Sequence, residues 1–439
     1  MSTALRDLRE VWSGSAGPFL QAESGPLSFA DVDAASSPEL SQVLPGDVVA
    51  VVGDFDAATI RLLLELIDMS CIIVPLTVST ESLHEVFFSL VSPDVVISGG
   101  VVTRFETRIS PQNPLIQGLI EEKKPGLVLF TSGTTGQPKA IVHDFSRFLS
   151  RFSNPRPAFR TFGFLLFDHI GGLNTLFHTL YNRGLVVASK NRQVPDVLSM
   201  CKTHGVELLP TTPTFLRMLL LSDVPASSFP ESLRLITYGT ERMDGSTLSR
   251  LCQKYPDVDF RQTYGMSELG ILRTKSRARD SLWVQVGGEG VETKVESDTL
   301  LIRSETRMLG YINAPSPFDD EGWFNTGDAV LVDGEWLRIV GRDKGFVNVG
   351  GLKFHVSEVE DVALEIPGVS FATAQVVRNP ITGEHCELTI QPAPGVNVDL
   401  IEIRLLMREK LAPHKRPMRV RLGQISISPR YKQVPSLLQ

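Results

Sequence analysis

Residues 129–139 read Leu-Phe-Thr-Ser-Gly-Thr-Thr-Gly-Gln-Pro-Lys. Hydroxyl side chains (Ser132, Thr134, Thr135), glycines (Gly133, Gly136) and Lys139 follow an apolar run, 128–130, that reads as the end of a buried strand. Glycines permit a tight turn that exposes backbone N–H groups, and successive N–H groups in a turn make a hollow for an anion. Hydroxyls add donors, and a lysine adds a point charge suited to phosphate. The chemistry implied is binding of a nucleoside triphosphate. From the residues alone, the run also reads as a polar link between two elements. It is not the kinase-type phosphate loop, because Gly133 and Gly136 stand too close together and Lys139 follows Pro138 instead of opening a helix.

Other segments offer groups for the same chemistry. Residues 259–270 end a strand in a glycine turn followed by Glu268. A carboxylate beside a triphosphate serves Mg²⁺, which takes one or two carboxylates plus phosphate oxygens; by itself it is a capping or solvent-facing acid. Asp328, closing Trp-Phe-Asn-Thr-Gly-Asp, either ends a β-turn or accepts the two hydroxyls of a ribose. Residues 237–243 (Thr-Tyr-Gly-Thr-Glu-Arg-Met) form a strand-end turn, and Arg342 and Lys344 sit in a charged turn before Asn-Val-Gly-Gly-Leu-Lys at 348–353. The stretch 428–435 carries Arg430 and Lys432.

Taken together, these segments resemble the adenylate-forming enzymes, the superfamily of acyl- and aryl-CoA ligases, peptide-synthetase adenylation domains and firefly luciferase. The likeness spans essentially the whole chain, although the region before Thr131 is short for that family. It implies that Thr131, Ser132, Gly133, Thr134, Thr135, Gly136 and Lys139 surround the phosphates. Thr263 would lie near them, Tyr264 and Gly265 by the adenine, and Glu268 on the magnesium ion. Gly239, Thr240 and Glu241 resemble the adenine-side loop, with Thr240 in place of a glycine and Arg242 in place of a proline. Asp328 would hold the ribose with support from Arg342. Lys344 would occupy the hinge, and Gly350 and Gly351 would approach a pantetheine arm once a small domain rotates.

Lys432 is the adenylation lysine implied, with Arg430 and Lys415 as fallbacks. The family's usual Gly-Lys pattern lacks its glycine here, and a basic tail without a role is the plain alternative. His169 is expected on the pocket wall at the mouth of the thiol channel; the alternative is a packed, hydrogen-bonded histidine. Asp168 stands where amine-binding members carry an acid, and a local hydrogen bond explains it equally. The pocket is expected from 164–175, including Gly171, from 210–215, including Pro213, and from 238–241.

The elements that must position these groups alternate. Strand-like runs at 48–52, 71–76, 95–98, 161–167, 185–189, 207–210, 233–238 and 259–263 are interleaved with helical patterns at 57–70, 80–90, 172–181, 194–204, 213–221 and 245–255. That rhythm implies mostly parallel sheets faced by helices. After about residue 281, short strands (283–286, 291–296, 299–303, 329–332, 336–340) suggest an antiparallel or barrel-like subdomain. From 346, helices at 355–366 and 399–411 and strands at 371–378 and 387–391 suggest a smaller α+β unit. The fold class expected is therefore α/β, with a large N-terminal domain of parallel sheets plus a β-barrel-like subdomain (1–342) and a small mobile α+β C-terminal domain (343–439).

A chain of 439 residues with 42% hydrophobic and 21% charged side chains is ordinary for a globular protein of two or three domains. A net charge of −7 argues against a nucleic-acid binder. Four scattered cysteines without a CxxC pair fit a reducing, cytoplasmic setting, and the apolar stretch 60–76 is broken by Arg61, Glu65 and Asp68, so no membrane span is expected. The resemblance implies a free-standing ligase that uses ATP and Mg²⁺ to convert a carboxylic acid to acyl-AMP. The acyl group then passes to a thiol, either CoA or the phosphopantetheine of a separate carrier protein. A non-catalytic nucleotide-binding homologue is the reading from another class.

Overall fold

The computed structural model describes residues 4–106, 113–132, 137–222, 224–380 and 383–433. Two seven-stranded sheets build the first part of the chain. One runs in the order Gly310–Tyr311, Pro138–Asp144, Gly126–Ser132, Ile72–Leu76, Val48–Val52, Val95–Ser98, Val101–Arg104. Its centre is parallel and its edges are antiparallel. The other runs Asp259–Gln262, Leu235–Tyr238, Leu208–Thr211, Arg160–Phe162, Leu185–Val187, Pro18–Ala22, Gly25–Ser28, parallel up to its last hairpin.

Helices Ala57–Asp68 and Ile170–Tyr181 contribute to one apolar core with strands of both sheets. In the first, Ile60, Leu63, Leu64 and Ile67 recur at helical spacing and are buried, and Asp56 caps its start by accepting from the Thr59 N–H at 2.9 Å. A helix buried on most sides between two sheets is rich in leucine and isoleucine for that reason.

A third, wholly antiparallel seven-stranded sheet follows, from Tyr264–Met266 through Gly270–Ser276, Trp283–Gly287, Trp336–Arg342, Phe324–Asp333 and Thr299–Ser304 to Val291–Glu296. It begins earlier than the change of rhythm near residue 281 indicates. The fourth sheet carries Phe346–Val349, Leu352–His355, Val369–Asn379, Gly383–Pro392 and Arg419–Leu422, covered by helices Val356–Leu364 and Leu400–Lys410. The turn Asp343–Gly345 separates the third sheet from the fourth, and we propose the domain division there, at 342/343. Among the described residues no helix is long and apolar enough to cross a membrane.

The strand expected at 161–167 is only Arg160–Phe162. Phe164, Leu166 and Phe167 are buried, yet the chain has left the sheet there and turns, with the His169 N–H donating to Leu166 O at 3.1 Å. Apolar content marked the segment as interior without distinguishing a strand from a packed turn.

Candidate active site

The strands Gly126–Ser132 and Pro138–Asp144 flank the hydroxyl-rich loop and pair antiparallel, with Thr131 opposite Lys139 at its neck. Gly133, Thr134, Thr135 and Gly136 lie outside the described residues. The Lys139 ammonium sits 4.8 Å from the centre of the Tyr311 ring, a cation–π distance, and the Tyr311 hydroxyl donates to Glu268 Oε1 at 2.8 Å. One aromatic side chain thus links the lysine of the loop to the acid expected on magnesium. Burial, and then the Glu268 carboxylate, push the Tyr311 phenol up, so it remains a donor.

His143 bonds to the backbone just before the same acid. Burial lowers its pKa to about 4, and the neutral ring bonds through Nε2 to Ser267 O at 2.7 Å. Among the described residues no three His, Cys, Asp or Glu side chains gather into a ready-made metal site. A magnesium ion carried on a triphosphate needs only one or two carboxylates, and half-buried Glu268 offers one.

Among the residues expected around a nucleoside, Tyr264 donates to Asp328 Oδ2 at 2.6 Å. Asp328 and Arg342 stand opposite each other on adjacent strands, with Arg342 Nε 3.3 Å from Asp328 Oδ1 and an Arg342 terminal N–H donating to Thr326 O at 2.7 Å. Burial raises the Asp328 pKa, against the lowering by Arg342 and by the Tyr264 hydrogen bond. The Thr263 hydroxyl donates to Tyr238 O at 3.1 Å. Its Oγ1 lies so close over Gly239 that a Cβ there would come within 2.4 Å, so only glycine fits. Thr240, where the family pattern has glycine, adopts φ +70°, a left-handed conformation that glycine takes without strain.

A cleft opens between the Ile170–Tyr181 helix and the strands Leu208–Thr211 and Leu235–Tyr238. Leu165, Gly171, His178, Pro210, Thr211 and Thr240 line it, and Thr263 and Gly265 close one side. Pro213, expected in the pocket, is instead a buried residue in the first turn of helix Pro213–Leu221, one turn beyond the lining residues Pro210 and Thr211. A narrow crevice shares Leu165 and Thr240 with the cleft and is bounded by His169 and by tail residues 429–432.

The tail reaches this junction as a hairpin turn. The Tyr431 N–H donates to Ser428 O at 2.9 Å, the Ser428 N–H to Lys432 O at 2.9 Å, and Tyr431 takes φ +52°. Tyr431 packs on Phe164 and Phe215, with ring centres 5.2 and 5.7 Å away. The Thr212 hydroxyl donates to Tyr431 O at 2.7 Å, and the Gln433 N–H to Glu241 Oε1 at 2.7 Å. Lys432 is thereby delivered beside Glu241 and His169. Burial lowers its pKa to about 8, against the raising effect of Glu241. His169 caps its helix, its Nδ1 accepting the Gly171 N–H at 3.0 Å; burial, then Lys432 and Arg430, hold it neutral, which leaves its proton on Nε2.

Asp168 is held by protein partners, the second of its two expected readings, although the partners are distant in sequence. It is 4% exposed, and its Oδ2 pairs with Arg430 at 3.0 Å and accepts from Thr77 at 3.4 Å. In this arrangement the Arg430 guanidinium stands where a substrate amine would have to approach the carboxylate. Of the two fallbacks for Lys432, Arg430 is the partner of Asp168 and Lys415 is bound to Glu358 within the C-terminal unit. Lys344 is exposed in the turn Asp343–Gly345. Gly350 and Gly351 form an open hairpin tip with φ +58° and +92°.

A family model described as "AMP-binding enzyme" matches residues 46–299. The chain belongs to the AMP-binding enzyme family. It is 27% identical over 321 residues to the 3-[(3aS,4S,7aS)-7a-methyl-1,5-dioxo-octahydro-1H-inden-4-yl]propanoyl:CoA ligase of Mycobacterium tuberculosis, covering 68% of this chain and 62% of that protein. It is 26% identical over 321 residues to a salicylyl-CoA synthase / salicylate adenylyltransferase of Streptomyces, covering 66% and 58%. The chain thus spans about six-tenths of the length of these curated relatives. Among solved structures, an anthranilate CoA ligase in complex with anthranoyl-AMP superimposes with a TM-score of 0.81 at 18% identity, covering 98% of this chain and 95% of that one. The o-succinylbenzoate CoA synthetase of Bacillus subtilis gives 0.75 at 21%, covering 97% and 96%. These likenesses establish a shared fold.

Within this AMP-binding enzyme, sequence reasoning missed Tyr311, His143 and the Arg430–Asp168 pair. Tyr311 lies 43 residues from the acid it holds, and Arg430 lies 262 from its partner. No local pattern announces contacts that only the folded chain creates.

Proposed function

We propose that this chain uses ATP to convert a carboxylic acid into acyl-AMP, releasing pyrophosphate, and then passes the acyl group to a thiol, CoA first. The observation that carries this reading is the tail, which brings Lys432 to the junction of the acid cleft with Thr240 and His169. No side-chain nucleophile is required; positioning and charge stabilisation do the work. The hydroxyl-rich loop and Lys139 hold the β- and γ-phosphates. Glu268, braced by Tyr311, would hold the magnesium ion carried on ATP, which when bound offsets charge on the departing pyrophosphate. Asp328 and Arg342 seat the ribose, and Lys432 bridges the substrate carboxylate and the α-phosphate. Turning of the 343–439 unit would exchange this tail for the Gly350–Gly351 tip in the thiol step.

Screening carboxylic acids by ATP–pyrophosphate exchange tests the first step. Acyl transfer to CoA, set against a phosphopantetheinylated carrier, tests the second. ATP binding without exchange across a broad panel would favour the non-catalytic reading, to which the altered tail motif at Lys432 gives its one specific support. All four cysteines are free, which suits a reducing, cytoplasmic compartment.

A further inference from the structure

Beyond the acid cleft lies a polar chamber. Asn174 and Ile271 line both spaces, so the two adjoin there, whereas Leu165 and Thr240 are what the cleft shares with the space bounded by Lys432. Three guanidinium groups, Arg151, Arg156 and Arg273, line the chamber, and among the described residues none of them makes an ion pair. Glu289 and Glu305 also line it, but Glu305 is turned against Gly290, where an added Cβ would come within 2.8 Å of its carboxylate.

Arg151 is the best-built of the three. Its stem is half-buried, and one terminal nitrogen is shielded from solvent without a hydrogen-bond partner. That nitrogen lies under Gly270, where a Cβ would come within 2.1 Å of it. The side chain also lines the chamber, and a planar guanidinium fork matches a carboxylate. Burial, and then Arg156, lower the Arg151 pKa to about 10, which records the same lack of a counter-charge.

We propose that the acid accepted by this cleft carries a second carboxylate at its far end, held in the chamber by Arg151 with Arg156 and Arg273 around it. This rests on the reading of the cleft as the acid site. With the reacting carboxylate at Lys432, a substrate that fills the cleft places its distal end between Asn174 and Ile271, at the chamber's mouth. The phosphates of CoA are the other anions at hand. They must follow a thiol that attacks at the Lys432 end, and the acid itself fills the route from the chamber.

Pyrophosphate release should be measured on the holoenzyme with matched pairs, benzoate against terephthalate and hexanoate against adipate. The diacid of at least one pair is expected to exceed its monoacid at least tenfold in kcat/KM. Arg151→Gln, and separately the exposed pair Arg156→Gln with Arg273→Gln, should lower that ratio at least tenfold. The exposed pair keeps the test open if Arg151→Gln fails to fold. Monoacids turned over as well as diacids would overturn the inference and leave the activation chemistry standing. So would an Arg151→Gln variant that raises KM for CoA at an unchanged acid ratio. Failure of every acid to release pyrophosphate would sink the parent reading and this inference with it.

Discussion

Lys432 concentrates the proposed first half-reaction in one ammonium group. Replacing it with alanine removes a preorganised charge from the developing phosphorane, which costs about 3–4 kcal/mol, roughly a hundred- to thousandfold. Adenylate formation should fall by that factor, and thioester formation from supplied acyl-adenylate should not; equal loss in both would reject the role. The pH dependence follows the same group. Burial sets its pKa to about 8, so the working cation is lost as pH rises through that value. Single-turnover adenylation should therefore decline between about pH 7 and 9, and Lys432→Ala should abolish that limb. Tyr311→Phe isolates another contact, since it keeps the ring under Lys139 and deletes the donor to Glu268. The expected loss is about 1 kcal/mol, roughly fivefold in kcat/KM for MgATP, and an unchanged value would show that Glu268 needs no brace. Glu268, Asp328 and Lys432 were singled out in the chain because short motifs carry them. Tyr311 was not, because its partner is fixed only by the pairing of Gly310–Tyr311 with the Pro138–Asp144 strand.

At the scale of elements, the contact that orients the C-terminal unit is made by a residue the family pattern would not supply. Arg242, standing where a proline was expected, sends its two terminal nitrogens to Asp361 at 2.7 and 3.0 Å and lies 3.5 Å from Glu360 on helix Val356–Leu364. Ser246 reaches Leu364 O at 3.5 Å, and the Arg217 guanidinium lies 5.4 Å from the centre of the Phe371 ring. Burial pushes Glu360 up, against the pull of Arg242. Arg242→Ala leaves two acids facing each other, at a cost of about 2 kcal/mol to this docked arrangement. The adenylation half-reaction should slow by about tenfold or more and the thioester half-reaction much less, with partial recovery in Arg242→Lys. Equal slowing of both steps would mean that the pair supports the fold and not the orientation. Helices 194–204 and 213–221 were read to the residue, because a proline in the first turn and an apolar 3.6-residue period mark such elements unambiguously. The Pro18–Ala22 and Gly25–Ser28 hairpin went unread. It is short and mixed in character, and it is held as a strand by pairing with Leu185–Val187, more than 160 residues later.

For the whole molecule, the tail joins the last sheet to the first part of the chain, so its docking reports on both units at once. Its hold is divided between an apolar contact, Tyr431 on Phe164 and Phe215, and an ion pair, Arg430 with Asp168. These respond differently to mutation. Asp168 is 4% exposed and its Oδ1 has no hydrogen-bond partner even with the tail in place. Arg430→Ala therefore leaves a shielded carboxylate without its counter-charge, but only while the tail stays docked; when the tail lifts, water reaches Asp168. The penalty falls on the docked state, by about 2 kcal/mol, or roughly thirtyfold in the docking equilibrium. Local opening of this kind leaves the global transition almost untouched. The expected result is an unchanged melting temperature, faster hydrogen exchange at the Tyr431 and Gln433 amides, and slower adenylation although Lys432 is intact. Asp168→Asn in the same chain removes the stranded charge and should restore most of the protection and much of the rate. If Arg430→Ala leaves exchange at those amides as slow as before, the aromatic contact alone docks the tail, and the pair with Asp168 is incidental to bringing Lys432 to the cleft.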